Sequence, residues 1–503
     1  MSRVAVRGSL LARNTLLNLA GQGLPLVAAV WTLPRIAEGL GAARLGILSI
    51  AWVVLGVVAE LGTGRATTKY VAEALGRGER ERAGAVTWMT TAVQLALGGV
   101  VAAALLAAAP SLGRSVFRVP PELRAEAGLA FGLIAATIPA VLVGSCFRGV
   151  LEAAQRFDLV NAIRLPASLA NYLLPLAGLA LGWRLPGILA LLLAFRVAAA
   201  GAFLLAAGRV LPEIWRRTGA WRTELRHVVG YGGWSTISSV VSPLLVYLDR
   251  LVLGAVAGVA AVAYYAVPFE LVMRLLVVPA SLAATLFPAF STLDGRGEAA
   301  RTARLFGRAL KFILCVLGPL ALVLVVGARD LLEVWLGPAY AREGATALRL
   351  LAVAIVVNAV AHVPYALLQG RGRPDLPAKF HLAELPLQLG ATWLLVSRFG
   401  VAGAAGAWLL RVSLDTGLLL LAASLAGGLS PRQLLAERIP HTAALLVALA
   451  VPFAAAAAWS PTQGLRLALL AFAAISTVAL AWRFSLSAGD RADLLRWIRA
   501  PGA

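Results

Sequence analysis

Charge is what this chain has least of. Only 14% of its 503 residues are Asp, Glu, Lys or Arg, against 60% apolar, and the mean hydropathy is +0.84. A soluble fold needs a far more polar surface, so a water-soluble globular domain is excluded. Cysteine is nearly absent too: Cys146 and Cys315 sit one in each half, inside apolar runs, and offer neither a disulfide framework nor metal-ligand spacing. The four histidines, at 227, 362, 381 and 441, are scattered along the chain and read as structural or interfacial residues. No Walker A sequence, HExxH, CxxC pair or GxSxG occurs, which argues against ATP hydrolysis and the common hydrolytic chemistries. No enzyme activity, cofactor or metal is expected.

Long apolar runs fill the space that charge leaves. About fourteen stretches of roughly 17 to 25 residues recur from 13–33 to 464–483, each long enough to span a bilayer as a helix. The expected fold class is therefore an all-α polytopic membrane protein with a phospholipid bilayer as its solvent. The closest-spaced runs are 166–182 with 186–208, and 384–398 with 402–426. Ala, Gly and Ser dominate them, which suits close packing between helices in lipid.

The formal net charge of +21 raises the question of nucleic acid, and its distribution answers it. About 30 of the 45 Lys and Arg fall at the N-terminus, the C-terminal tail and the even-numbered loops, against about 12 at the odd-numbered loops. That is a positive-inside pattern. It places both termini in the cytoplasm, and it serves topology and anionic headgroups, with no nucleic acid partner. Arg3, Arg7 and Arg13 precede a run too long for a signal-peptide core, so the first helix reads as an uncleaved anchor.

The chain also repeats itself. Leu151-Glu-Ala-Ala-Gln-Arg156-Phe-Asp158-Leu159 is echoed 217 positions later by Leu368-Gln-Gly-Arg-Gly-Arg373-Pro-Asp375-Leu376. Leu33-Pro34-Arg35 and Leu248-Asp249-Arg250 form a second pair, each closing an apolar stretch with a proline near its middle, Pro25 and Pro243. Two six-helix bundles, 1–208 and 228–426, follow from this spacing, joined by a cytoplasmic linker at 209–227. Residues 427–484 hold two appended helices, and 485–503 an amphipathic tail. Duplicated membrane halves usually rock about a central site, which makes transport the leading expectation.

Several short segments resemble a known family. Glu60-Leu-Gly-Thr-Gly64 followed by Arg65 to Glu73 is similar to the second-helix signature of polysaccharide-export flippases. These belong to the multidrug/oligosaccharidyl-lipid/polysaccharide exporter superfamily. Asp249-Arg250-Leu-Val-Leu-Gly254 with Ala261 to Ala266 resembles the family's helix 7–8 junction. Leu276 to Leu282 with Leu286 to Ser291 resembles its eighth helix, and Trp335 to Tyr340 the segment before helix 10. The resemblance implies a MATE-like fold and alternating access that moves a polyprenyl-diphosphate-linked glycan from the inner to the outer leaflet of a bacterial plasma membrane. A polysaccharide polymerase is an implied partner.

A diphosphate crossing hydrocarbon needs fixed positive charge in place of its lost water, and arginine supplies it as a planar fork. Arg196, Arg274 and Arg411 fall well within expected helices. Arg274, with Glu270 one turn back, is the first candidate for a phosphate ligand; the alternative is a structural ion pair. Arg411 and Asp415 repeat that spacing and read as a structural pair, whereas Arg196 has no local acidic partner. Arg35 and Arg250, at matching places near helix ends, are candidates to receive the diphosphate or else interfacial anchors. Asp249 is a candidate coupling site or a partner of Arg250. Asn14, Asn18 and Gln22 share one face of helix 1, suited to sugar hydroxyls or to helix–helix hydrogen bonds.

The rivals are a lipid II flippase of the same superfamily, a MATE-type drug or cation antiporter, a polytopic glycosyltransferase or polymerase, and a non-catalytic membrane subunit. An antiporter should concentrate buried carboxylates rather than arginines. A glycosyltransferase should carry a long acidic extracytoplasmic loop, which this sequence lacks.

Overall fold

The computed structural model describes residues 8–61, 64–216 and 245–427, with scattered residues between 462 and 476. The described residues are helical throughout, with short turns. In hydrocarbon every backbone N–H and C=O must be satisfied within its own segment, so apolar runs of this length have no other stable form. Among the described residues, eight helical stretches are long and apolar enough to cross a membrane. Two of these eight are pairs joined at a kink. The stretch Gly8–Leu61 breaks at Gly41, giving α1 (8–40) and α2 (42–61, resuming at Gly64–Gly76). A second break at Gly400 divides Asp375–Gly427 into α11 (375–399) and α12 (401–427).

Between them run α3 (Arg80–Ser111), α4 (Arg124–Ala153), α5 (Phe157–Ala180), α6 (Leu185–Val210), α7 (245–256), α8 (259–295), α9 (Ala299–Leu336) and α10 (Pro338–Gly370). The described residues thus hold eleven of the fourteen expected helices and the end of the seventh, whose residues 229–244 lie outside the description. The appended pair falls in 427–484, where only a scatter of residues is described, and the tail 485–503 and most of the linker 209–227 lie outside the description.

The turns carry the repeat more clearly than the sequence does. Ten described residues have positive φ, and they fall into five pairs: Gly41 with Gly258, Gly78 with Gly297, Arg118 with Gly337, Gln155 with Gly372, and Gly182 with Gly400. Every pair is separated by 217 to 219 residues, so each chain reversal of the first six helices recurs in the next six.

The echoed segment shows why. In both copies the helix ends in a Schellman motif, with the N–H of Arg156 donating to the Leu151 carbonyl and that of Arg373 to the Leu368 carbonyl. The preceding residue takes the left-handed conformation, Gln155 at φ 57° and Gly372 at φ 71°. The arginine then forks onto the carboxylate two residues on, Arg156 on Asp158 at 2.9 and 2.8 Å and Arg373 on Asp375 at 3.1 and 3.5 Å. The Arg156 guanidinium holds the Asp158 carboxyl down at about 2.

By contact, the chain forms two compact units, Leu19–Ala263 and Tyr264–Ala503 with Met1–Asn18. Residues 245–263 therefore pack with the first unit. Its core gathers Val71, Val86, Phe147, Val150, Leu151 and Ile214. At the end of the bundle, Arg80 grips Glu213 at 2.8 Å and the Trp88 indole donates to the Ile214 carbonyl at 2.6 Å, which docks the turn after α6. The second unit packs Leu286, Phe290, Phe306, Ile313, Val363 and Leu367. Val71 and Phe290, and Val150 and Leu367, sit at the same repeat spacing as the turns. Both cores therefore draw on matching positions.

Candidate functional site

Among the described residues, polar centres interrupt the apolar bundle of each unit. In the first, α2, α4, α5 and α6 line a half-open cavity of about 220 Å³ whose polar lining is Arg148, Arg164, Arg196, Asn171, Ser145 and Ser168. Small residues open it: Ala59, Ala140, Gly144, Ala167, Ala199 and Ala200 leave room where larger side chains would close the bundle. Arg196 lies eleven residues into the 26-residue α6 and so near mid-membrane. Its Nη2 donates to the Asn171 Oδ1 at 2.9 Å, while its buried Nε has no hydrogen-bond acceptor. Arg148 stands five residues before the end of α4 and Arg164 seven after the start of α5, within about 8–11 Å of the turn that joins them. Arg148 reaches Glu152 at 3.4 Å. Among the described residues, neither Arg164 nor Arg196 has a carboxylate partner.

In the second unit, α11 and α12 lie side by side across the Gly400 break and bring His381, Glu384, Arg411 and Asp415 together. Arg411 faces Glu384 at 3.7 Å, with side chains only 9% and 1% exposed. His381 stands 3.7 Å from Asp415, and ligand atoms of His381, Glu384 and Asp415 all lie within 4.8 Å of one another. Gln388 and Thr392 continue the buried polar line along α11. The expected i, i+4 pair of Arg411 with Asp415 is therefore corrected: the arginine turns to Glu384 on the neighbouring helix, where it offsets a carboxylate that is otherwise fully buried.

Arg274 does meet Glu270, at 3.4 Å, both side chains about one-third exposed. It opens a single 3-10 turn, Arg274–Leu276, inside α8. Pro279 explains the turn: it has no N–H for the Leu275 carbonyl, and its ring crowds that carbonyl.

Arg35 is exposed, stacks 4.3 Å over Trp31 and donates to the Trp31 carbonyl at 2.6 Å. Arg250 is 2% exposed, beside the fully buried Asp249, whose Oδ1 accepts its backbone N–H at 2.7 Å. Arg35 and Arg250 are not register equivalents, contrary to the sequence expectation. One precedes its turn glycine by six residues and the other by eight. Two residues rotate a helix by about 200°, so the two arginines face different ways from their turns. The side chains of Asn14, Asn18 and Gln22 lie outside the described residues.

Arg148, Arg164 and Asn171 were not singled out from sequence. Arg148 reads as the helix-end partner of Glu152, and Arg164 falls before the apolar run of α5. Only the convergence of three helices reveals them.

With this geometry in view, comparison with known proteins is direct. A family model described as "Polysaccharide biosynthesis protein" matches residues 11–294. The chain belongs to the polysaccharide biosynthesis protein family. A MatE family model also matches, over residues 235–394. A relative in Shigella flexneri, "Putative O-antigen transporter", is 27% identical over 412 residues, covering 81% of this chain and 96% of its own.

Among solved structures, the lipid II flippase MurJ in an inward closed conformation aligns with a TM-score of 0.70 at 12% identity, over 96% of this chain and 99% of its own. An inward-facing multidrug resistance MATE family transporter of the MOP superfamily aligns at 0.67 and 18% identity, over 80% and 94%. Both likenesses establish a MATE-like fold for this member of the polysaccharide biosynthesis family.

Proposed function

We propose that this chain flips a polyprenyl-diphosphate-linked oligosaccharide from the inner to the outer leaflet of the bacterial inner membrane, for cell-surface polysaccharide assembly. It is a membrane transport protein and not an enzyme. The match to the O-antigen transporter relative over 96% of that protein's length carries the reading. Its partners are the lipid-linked glycan and the bilayer, with a polysaccharide polymerase as the consumer of the flipped product.

The six-helix halves 1–208 and 228–426 alternate access, with both termini in the cytoplasm. Arg274, Arg35, Arg250 and Arg196 contact the diphosphate, and Asn18 and Gln22 contact the sugar. Inserting each mid-helix arginine costs on the order of 2.5–3.5 kcal/mol, an expense that an anionic cargo explains. Asp249 serves coupling, Glu270 is the resting partner of Arg274, and Arg411 and Asp415 form ion pairs within the α11–α12 centre. One Arg among Glu384 and Asp415 leaves the α11–α12 centre with an excess negative charge when both carboxylates are ionised, which suits a proton or monovalent cation. A drug antiporter fits less well, because the cavity of the first unit is cationic.

The test is leaflet-resolved mass spectrometry of polyprenyl-linked glycans in a depletion strain complemented by wild type or Arg274→Ala. Inner-leaflet accumulation of complete lipid-linked oligosaccharide, relieved by wild type alone, is expected. Normal intermediates in both leaflets under depletion would sink the reading.

A further inference from the structure

The α11–α12 centre holds polar atoms that hydrogen bonding leaves unused. The His381 Nε2 and the Asp415 Oδ1 stand 3.7 Å apart, too far for a hydrogen bond. Among the described residues, neither that Asp415 oxygen nor either oxygen of Glu384 has a hydrogen-bond partner, although Glu384 is 1% exposed. Gln388, one turn further along the same face of α11, is 2% exposed, and neither of its amide atoms has a partner. Native interiors rarely leave such groups unpaired, because burying them so is costly. The unused atoms point to a guest that they share.

Spacing indicates its kind. Two ligand atoms bound at about 2.0–2.1 Å to a tetrahedral ion stand about 3.3–3.4 Å apart. The His381–Asp415 gap is close to that, and a Glu384 oxygen lies within 4.8 Å of both. The run His381-Leu-Ala-Glu384 puts imidazole and carboxylate one turn apart on α11, and Asp415 meets them from α12. Carboxylates alone suit hard ions such as magnesium or calcium, whereas an imidazole nitrogen suits zinc and its first-row neighbours. Charge agrees. Glu384, Asp415 and Arg411 sum to minus one when ionised, and a divalent ion carrying a hydroxide in its open position is a singly charged guest.

We propose that His381, Glu384 and Asp415 bind a zinc-type divalent transition-metal ion, which ties α11 to α12 and carries in its fourth position a hydroxide that Gln388 hydrogen-bonds. The ion enters past His381, the most exposed of the three ligands, which lies six residues into α11 and so about 9 Å from its start. The site stands apart from the flippase reading and needs no glycan.

The experiment uses the full-length protein, purified in mild detergent without a histidine tag and stripped of metal with a chelator. Zinc retained after re-addition and dialysis is read by elemental mass spectrometry, and Co²⁺ serves as the visible probe. Wild type is expected to retain one zinc per chain and to give the strong visible absorption of four-coordinate cobalt, bleached by added zinc. His381→Gln, Glu384→Gln and Asp415→Asn should each weaken zinc binding by more than about tenfold, since loss of an outer partner alone costs roughly 10–100-fold. His362→Gln should bind as wild type does. Zinc should raise the unfolding midpoint of wild type and not that of His381→Gln.

His381→Cys keeps a metal ligand and should add a thiolate-to-cobalt charge-transfer band, which places the ion here even where another variant folds poorly. Zinc retained equally by wild type and all three ligand variants would put the metal elsewhere and overturn the proposal. So would a wild type that takes up neither zinc nor cobalt, whether or not sodium raises its midpoint. Neither result touches the flippase reading, which stands or falls on leaflet transfer.

Discussion

Replacing Arg411 with Met removes a cation from among two buried carboxylates while keeping most of the side chain's volume. Glu384 is 1% exposed and has no hydrogen-bond partner for either oxygen, so Arg411 at 3.7 Å is its compensating charge. Removing one member of a buried pair costs about 3–5 kcal/mol, because the other charge is left stranded. The separation exceeds hydrogen-bonding distance, which puts the expected loss at the lower end, about 3 kcal/mol. Removing both charges should be far milder, since a neutral pair strands nothing.

The assay is a double-mutant cycle of wild type, Arg411→Met, Glu384→Gln and the double variant, read as unfolding midpoints in mild detergent. The double variant should regain more than half of the loss caused by Arg411→Met. A double variant as unstable as the two single losses added together would refute the pairing of Arg411 with Glu384.

Other outcomes follow from the turns and the packing. Gln155 holds φ 57° where its repeat mate is Gly372, so Gln155→Gly should stabilise by about 0.5–1 kcal/mol, whereas Gly372→Ala should destabilise by about 1 kcal/mol; opposite shifts in unfolding midpoint check both. Asp158 has a folded pKa near 2, below its ordinary value near 3.8, so its contribution is complete above about pH 4 and is lost as pH falls towards 2. Its side chain is 50% exposed, so that contribution is small: Asp158→Asn should leave the midpoint flat between pH 5 and 8, and any residual effect should shrink in about 0.5 M salt. A methyl group at Gly46 would collide with the Val259 carbonyl, so Gly46→Ala should cost about 1–3 kcal/mol, read as a lowered midpoint.

Local features were legible in the sequence, and long-range convergence was not. The echo around Arg156 and Arg373 marks a real structural repeat because a Schellman motif and an Arg-x-Asp fork are both local, needing only eight residues to specify. The recurring Gly-Arg-Gly-Glu at 76–79 and 295–298 marks a second equivalent turn, a signal available in sequence and passed over. Arg118 and Gly337 share a turn with no shared residue type, so that equivalence is invisible until φ is known.

The Arg274–Glu270 pair was readable from its one-turn spacing. Arg411 with Asp415 had the same spacing and read the same way, yet α11 supplies a more deeply buried carboxylate. Spacing along one helix says nothing of what the neighbouring helix presents. Arg196 stood out because it had no local acid. Its relation to Arg164 and Asn171 depends on three helices meeting, and no single segment records that.

Movement of a diphosphate-linked glycan across a bilayer by this protein can be measured directly. The measurement is reconstitution of purified chain into liposomes carrying a polyprenyl-diphosphate-linked oligosaccharide in the inner leaflet, under imposed proton and sodium gradients, followed by timed accessibility of the glycan to an external lectin. Accessibility that rises with the wild-type protein, and not with protein-free liposomes, is the predicted result. Glycan that stays shielded at the protein-free rate, in liposomes where the protein is folded and correctly inserted, would contradict the account.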